Sequence, residues 1–183
     1  PTLTSPLIAV EDVMRARQRL RGVALHTPLQ RNPRLSELYG AEIYLKREDL
    51  QEVRSYKIRG AYNKMSLLSQ EQKERGVVCA SAGNHAQGVA SACAKMKVMG
   101  SIFMPAVKPM QKVNKVRTFG KQYVEVVLTG DNFDAAFAES MKLMEEKGLA
   151  YVHPFDDRDT IAGQGTVGLE ILDDSPGQID YLM

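Results

Sequence analysis

From Val77 onward the sequence repeats one rhythm, in which a short apolar run of strand-forming residues is followed by a longer segment of helical periodicity. Val77 to Ala80 predicts a strand and Asn84 to Lys97 a helix. Ser101 to Met104 predicts a strand and Pro109 to Phe119 a helix. Tyr123 to Leu128 predicts a strand and Asn132 to Lys147 a helix, with Asp131 as its cap. Parallel strands need a crossover, and helices of this length supply one, so the rhythm specifies βαβ units around a parallel sheet. Phe133, Ala136, Phe137, Met141 and Met144 share one face of the last helix and are assigned to the core.

Upstream, Val10, Val13, Met14 and Leu20 form the apolar stripe of a first helix. A short helix from Pro33 to Tyr39 stops at Gly40, and Ala41 to Lys46 alternates as a strand should. A helix is predicted from Ser55 to Leu68, with Ser55 as N-cap. Ser69 and Gln72 form a capping box at the start of the next one. Ile179 to Met183 reads as the opening of a further apolar strand, and the chain starts at Pro1 without a methionine, so the sequence is expected to be part of a longer protein.

Composition excludes several classes. Of the 183 residues 44% are hydrophobic and 25% charged, with a net charge of +2 spread without clusters, which leaves no electrostatic footprint for nucleic acid. No apolar run approaches the length a bilayer requires, and the amino terminus lacks the basic and apolar regions of a signal peptide. Cys79 and Cys93 read as buried thiols of a reducing cytoplasm. Neither they nor His26, His85 and His153 have metal-ligand spacing, so no metal site is expected. The acidic run Asp156 to Asp159 reads as a solvated helix start.

Two constellations carry candidate chemistry. In EVRSYKIRGAYNK, Lys57 falls in the first turn of a helix, where the dipole is positive, with Arg54 and Arg59 on either side. A positive surrounding lowers an amine's pKa and makes the neutral form available for attack on a carbonyl. The residues alone leave open a merely solvated lysine. In SAGNHAQG, Ser81 to Gly88 lies between a strand and a helix, where small residues and free helix-start amides suit an anion. Val89-Ala90 stands where a P-loop needs Lys-Ser/Thr, and G-x-G-x-x-G is absent, so nucleotide triphosphate and dinucleotide sites are rejected. A tight turn with Asn84 as helix cap remains the alternative.

These two motifs, with YLKREDLQ before them and IAGQGTVGLEIL after, resemble the fold-type II pyridoxal-phosphate enzymes, and most closely the threonine deaminase (threonine ammonia-lyase) group. The likeness runs from about Leu29 through Leu172. It implies a two-lobed α/β fold of the tryptophan synthase β type with parallel sheets. Residues 1–48 would begin the large lobe, 49–150 form the small lobe, and 151–183 start the remainder of a large lobe left incomplete. The implied cofactor is pyridoxal 5′-phosphate, bound covalently by Lys57, which then removes the substrate α-proton. Asn84 would bond the cofactor's ring oxygen, and Tyr56, where the family usually has Phe, would lie beside the ring. The loop of Ser81, Ala82, Gly83, Asn84 and His85 would hold the carboxylate of a small amino-acid substrate.

The family's glycine-rich phosphate loop and the serine facing the pyridine nitrogen are expected beyond Met183. The resemblance further implies a cytoplasmic homo-oligomer, dimer or tetramer, that deaminates L-threonine, and also L-serine, in isoleucine biosynthesis. A serine racemase or serine dehydratase of the same fold, and an inactive fragment, are the alternatives. Racemases of that kind carry a second serine where this chain has Ala82, whose methyl group has no proton to give.

Overall fold

The computed structural model describes residues 8–107 and 110–183. Its elements are α1 (Val10–Arg19), β1 (Leu29–Arg31), α2 (Pro33–Tyr39), β2 (Tyr44–Lys46), α3 (Lys57–Ser66), α4 (Gln70–Arg75), β3 (Val77–Ala80), α5 (Asn84–Met96), β4 (Gly100–Met104), α6 (Met110–Gly120), β5 (Val124–Leu128), α7 (Phe133–Lys147), β6 (Ala150–Tyr151) and α8 (Arg158–Asp174); from β3 to α7 they follow the predicted rhythm, whereas the short strands β1 and β6 were not expected from the sequence. The predicted start of the fourth long helix at Pro109 lies outside the described residues.

Four strands form a parallel sheet in the order β5-β4-β3-β6. Val77 pairs with Gly100 on one side and with Ala150 on the other. Both faces of the sheet are covered, which explains why β3 is an unbroken apolar run and not an alternating one. Val77, Cys79, Ile102 and Met104 face α3, α5 and α6; Val78, Ala80 and Phe103 face α7. Both cysteines are buried free thiols, with pKa values pushed up by burial.

The order of the strands has a consequence for ligands. The chain moves outward from β3 through β4 to β5, then α7 carries it back so that β6 pairs with the opposite edge of β3. The direction of winding therefore reverses between β3 and β6, and a crevice opens beyond the carboxyl ends of such a pair. The turns that leave these two strands, Ser81–Gly83 and Val152–Pro154, lie at that crevice.

Several expectations are corrected. The predicted strand at Ala41 is confined to Tyr44–Lys46, antiparallel to β1, because Ala41 and Ile43 donate to the carbonyl and hydroxyl of Ser36 in the middle of α2. Asn32, Ser69 and Asp157 cap α2, α4 and α8, and α7 is capped by Asn132 in place of Asp131, its side chain accepting from Ala135 N at 2.9 Å. On α7, Ala136, Phe137 and Met144 pack inward as predicted, whereas Phe133 at the helix start is exposed. Ile179–Met183 forms no strand: no neighbouring strand among the described residues pairs with it.

Candidate active site

Lys57 is the first residue of α3, and the residue before it, Tyr56, occupies the cap position with helical backbone angles. Ser55 is therefore not the cap. Its hydroxyl lies 3.4 Å from Lys57 N, and the helix ends at Ser66. Glycines clamp this end of α3 between two other helices. A Cβ on Gly88 of α5 would sit 2.9 Å from the carbonyl carbon and oxygen of Lys57, and one on Gly163 of α8 would sit 2.4 Å from the Arg59 carbonyl oxygen. The close approach of both backbones is what these glycines permit.

The Lys57 side chain is partly buried, and its Nζ donates to the Pro154 carbonyl at 2.8 Å. The Tyr56 ring centroid lies 5.3 Å from the same Nζ. The amine's pKa is lowered, and the cause is burial. The two flanking arginines play no part in this, contrary to the sequence-based expectation. Arg54 is exposed with φ 61°, its guanidinium turned to the Asp49 carbonyl. Arg59 is buried on the other side of α3, where its charge is cancelled by Glu48 and Glu170, each within 2.7 Å of the guanidinium.

Across the crevice, β3 ends in the turn Ser81–Gly83, and α5 follows. Gly83 stands at the cap position of α5 and supplies no side-chain hydrogen bond. The first amides of a thirteen-residue helix are thus left to face the crevice, with the positive end of its dipole. The Ser81 hydroxyl accepts from Gly83 N at 3.2 Å and shapes the turn. Space around Gly83 is open, since a Cβ there would meet none of the described residues within 4 Å. Ala82 and Gly83 are half-buried, and Asn84, the first helical residue and not the cap, is exposed.

His85 departs from the loop around it. It is buried, its Nε2 donates to the Val152 carbonyl at 2.8 Å, and its Nδ1 has no partner among the described residues. Burial, with the nearby charges of Lys57 and His153 acting in the same direction, pushes its pKa down to about 4. The ring is thus committed to Val152, and what His85 contributes to the start of α5 is its backbone amide.

The segment Val152–Pro154 thus joins both halves: His85 is bonded to its first carbonyl and Lys57 to its last. The sequence reading missed this segment and Gln164 of α8, whose Nε2 donates to the same Pro154 oxygen at 3.0 Å. Gln164 stood inside a quoted motif, but only the fold carries it to Lys57. A surface hollow of about 270 Å³ beside α2, between Arg31 and Glu42, contains none of the candidate residues.

An amine with depressed basicity opposite an uncapped helix start is the donor set required by a cofactor that pairs an aldehyde with anionic groups. The chain belongs to the pyridoxal-phosphate dependent enzymes: the model of that family matches residues 21–183. Within it, the chain is 55% identical over 176 residues to the biosynthetic L-threonine dehydratase IlvA of Bacillus subtilis, covering 96% of this chain and 42% of that protein. It is 52% identical to the Corynebacterium glutamicum protein of the same name, over 91% of this chain and 38% of the other. The chain thus spans about two fifths of the length of these curated relatives. Among solved structures it is similar to the processed form of threonine deaminase isoform 2 from Solanum lycopersicum, with TM-score 0.85 and 43% identity over 91% of this chain and 46% of that one. Maize serine racemase superposes with TM-score 0.86 at 31% identity, over 91% of this chain and 50% of the other.

Proposed function

We propose that this chain carries the catalytic lysine of an ammonia-lyase that converts L-threonine to 2-oxobutanoate and ammonia, the first step of isoleucine biosynthesis, and L-serine to pyruvate. The observation that carries the reading is Lys57: a partly buried amine of lowered basicity at the crevice where the sheet reverses its winding. When bound, pyridoxal phosphate supplies an electron sink for the carbanion left by loss of the α-proton. Lys57 would hold the cofactor through its neutral amine and, once released, take up that proton. The amides of Asn84 and His85 would orient the substrate carboxylate, with Ser81, Ala82 and Gly83 forming the turn that presents them. Asn84 would bond the cofactor's ring oxygen, and Tyr56 would lie against the ring.

Ala82 supports elimination over racemisation, because its methyl group cannot deliver a proton to the opposite face of the substrate. The same reading assigns residues 49–150 to a small lobe, with 1–48 and 151–183 belonging to a large one, in a cytoplasmic homo-oligomer. The test begins with the full chain incubated with pyridoxal phosphate. A visible absorbance band should appear, and borohydride should trap the cofactor on the Lys57 peptide. Lys57→Ala should lose both while keeping the far-ultraviolet circular dichroism of the unsubstituted protein. Formation of 2-oxobutanoate from threonine should exceed racemisation of serine. Trapping on another lysine, or serine racemisation as the faster reaction, would overturn the assignment.

A further inference from the structure

The Pro154 carbonyl is shared. It accepts from Lys57 Nζ at 2.8 Å and from Gln164 Nε2 at 3.0 Å, which together use both of its lone pairs. Gln164 is held in place by the contact between its own helix, α8, and α3. A Cβ on Gly60, one turn after Lys57, would lie 2.8 Å from Gln164 Nε2 and 2.9 Å from its Cγ, so the absence of a side chain at Gly60 lets the amide lie across α3 toward Pro154.

We infer that Gln164 is a positioning residue for Lys57, holding the Pro154 carbonyl as a resting acceptor from which the amine is readily released. The inference rests on the proposed role of Lys57. If Lys57 alone satisfied this carbonyl, moving the amine to bond the cofactor's aldehyde carbon, with loss of one water, would leave a partly buried acceptor without a donor. Gln164 stays bonded to the carbonyl throughout and removes that penalty. It also competes for the oxygen's electron density, so the carbonyl draws the ammonium form of Lys57 less strongly than an unshared carbonyl would. Loss of the glutamine donor should therefore make the amine harder to deprotonate and slower to leave.

The test reads the lysine directly, without relying on turnover. In the cofactor-free full chain, the pH midpoint for reductive methylation of Lys57 is followed by mass spectrometry of its peptide, and the rate of pyridoxal phosphate attachment is followed by absorbance. Gln164→Leu removes the donor. Gln164→Glu keeps the shape and polarity but replaces the donor with a carboxylate that attracts the ammonium. Both should raise the midpoint, Gln164→Glu by about one pH unit, and slow attachment at neutral pH about tenfold. If Gln164→Leu does not fold, Gln164→Met, which also lacks the donor and adds no charge, decides in its place. A midpoint within about 0.3 pH unit and an attachment rate within about twofold of the unsubstituted protein in the folded variants overturn the inference. The proposed function fails differently, by the absence of attachment to Lys57 in the unsubstituted protein, and the methylation midpoint still judges Gln164 in that case.

Discussion

His85 illustrates how one side chain couples the site to stability. Its ring is 3% exposed, and its pKa stands at about 4, against an ordinary value of 6.5. Lys57 and His153, the charged or titratable groups facing it, both oppose its protonation. The folded form therefore keeps the ring neutral while the unfolded chain takes up a proton as pH falls through 6.5. Stability associated with this group is fully present above that value and is lost progressively toward pH 4, amounting to about 2 kcal/mol by about pH 5. His85→Gln can still donate to the Val152 carbonyl but does not titrate. Its unfolding free energy, measured by denaturant at neutral and mildly acidic pH, should fall less steeply with acid than that of the unsubstituted protein. An identical slope would remove His85 from the account.

At the scale of elements, the position of Lys57 is decided by how tightly α3 lies between its neighbours. Gly88 brings α5 onto the Lys57 backbone, where an added Cβ would meet the carbonyl group at 2.9 Å. The neighbouring atoms are main chain and cannot swing aside, so Gly88→Ala must shift one helix against the other at about 1–3 kcal/mol. Because the displaced residue is Lys57 itself, Gly88→Ala is expected to lower the thermal midpoint and also to weaken cofactor attachment, read by titration of the visible band. Gly83→Ala is the contrasting change: its Cβ enters open space, and the thermal midpoint should be far less affected. Equal destabilisation by the two would contradict this packing.

At the scale of the whole molecule, a buried ionic cluster ties segments far apart in sequence. Arg59 donates to both oxygens of Glu48 at 2.9 and 2.7 Å and to both oxygens of Glu170 at 2.7 and 2.9 Å, and Thr166 and the Leu25 carbonyl take further bonds. Lys46 also reaches Glu170, at 2.8 Å. The cluster locks α3, α8, β2 and the turn Glu48–Leu50 into one body. Removing one member of a buried pair leaves its partner's charge uncompensated, at about 3–5 kcal/mol. Arg59→Met should therefore be strongly destabilising in a denaturant titration. Adding Glu48→Gln should recover part of the loss, because Glu170 retains Lys46 while Glu48 pairs with no other cation among the described residues. Arg59→Lys keeps one charge but gives up the planar fork that spans both carboxylates, so it should fall between the unsubstituted protein and Arg59→Met. Additive losses for Arg59→Met and Glu48→Gln would sink the coupling.

Much of the architecture was legible in the sequence because local rules and global fold agree there. The alternation from Val77 onward specified a parallel sheet, the Ser69–Gln72 capping box formed as written, and Gly40 ended α2 in a left-handed conformation. Helix ends were less legible: adjacent polar residues such as Asp131 and Asn132 are equally able to cap, and tertiary packing chose between them. The lysine and the glycine-bearing turn could be recognised by motif, but what surrounds the lysine could not. Neighbours in sequence suggested that arginine charge depresses its basicity, whereas α3 turns Arg59 away into a neutralising cluster and burial does the work. Pro154 and Gln164 lie 97 and 107 residues beyond Lys57 and reach it only because β6 returns to the edge of β3 and α8 crosses α3 at glycines. Sequence determined which segments form most of the helices and strands and which residues are candidates for the chemistry, because those follow from local periodicity, residue type and motif. Only the tertiary structure decided which charges meet and which amine is dry, because desolvation and long-range pairing are properties of the packed chain.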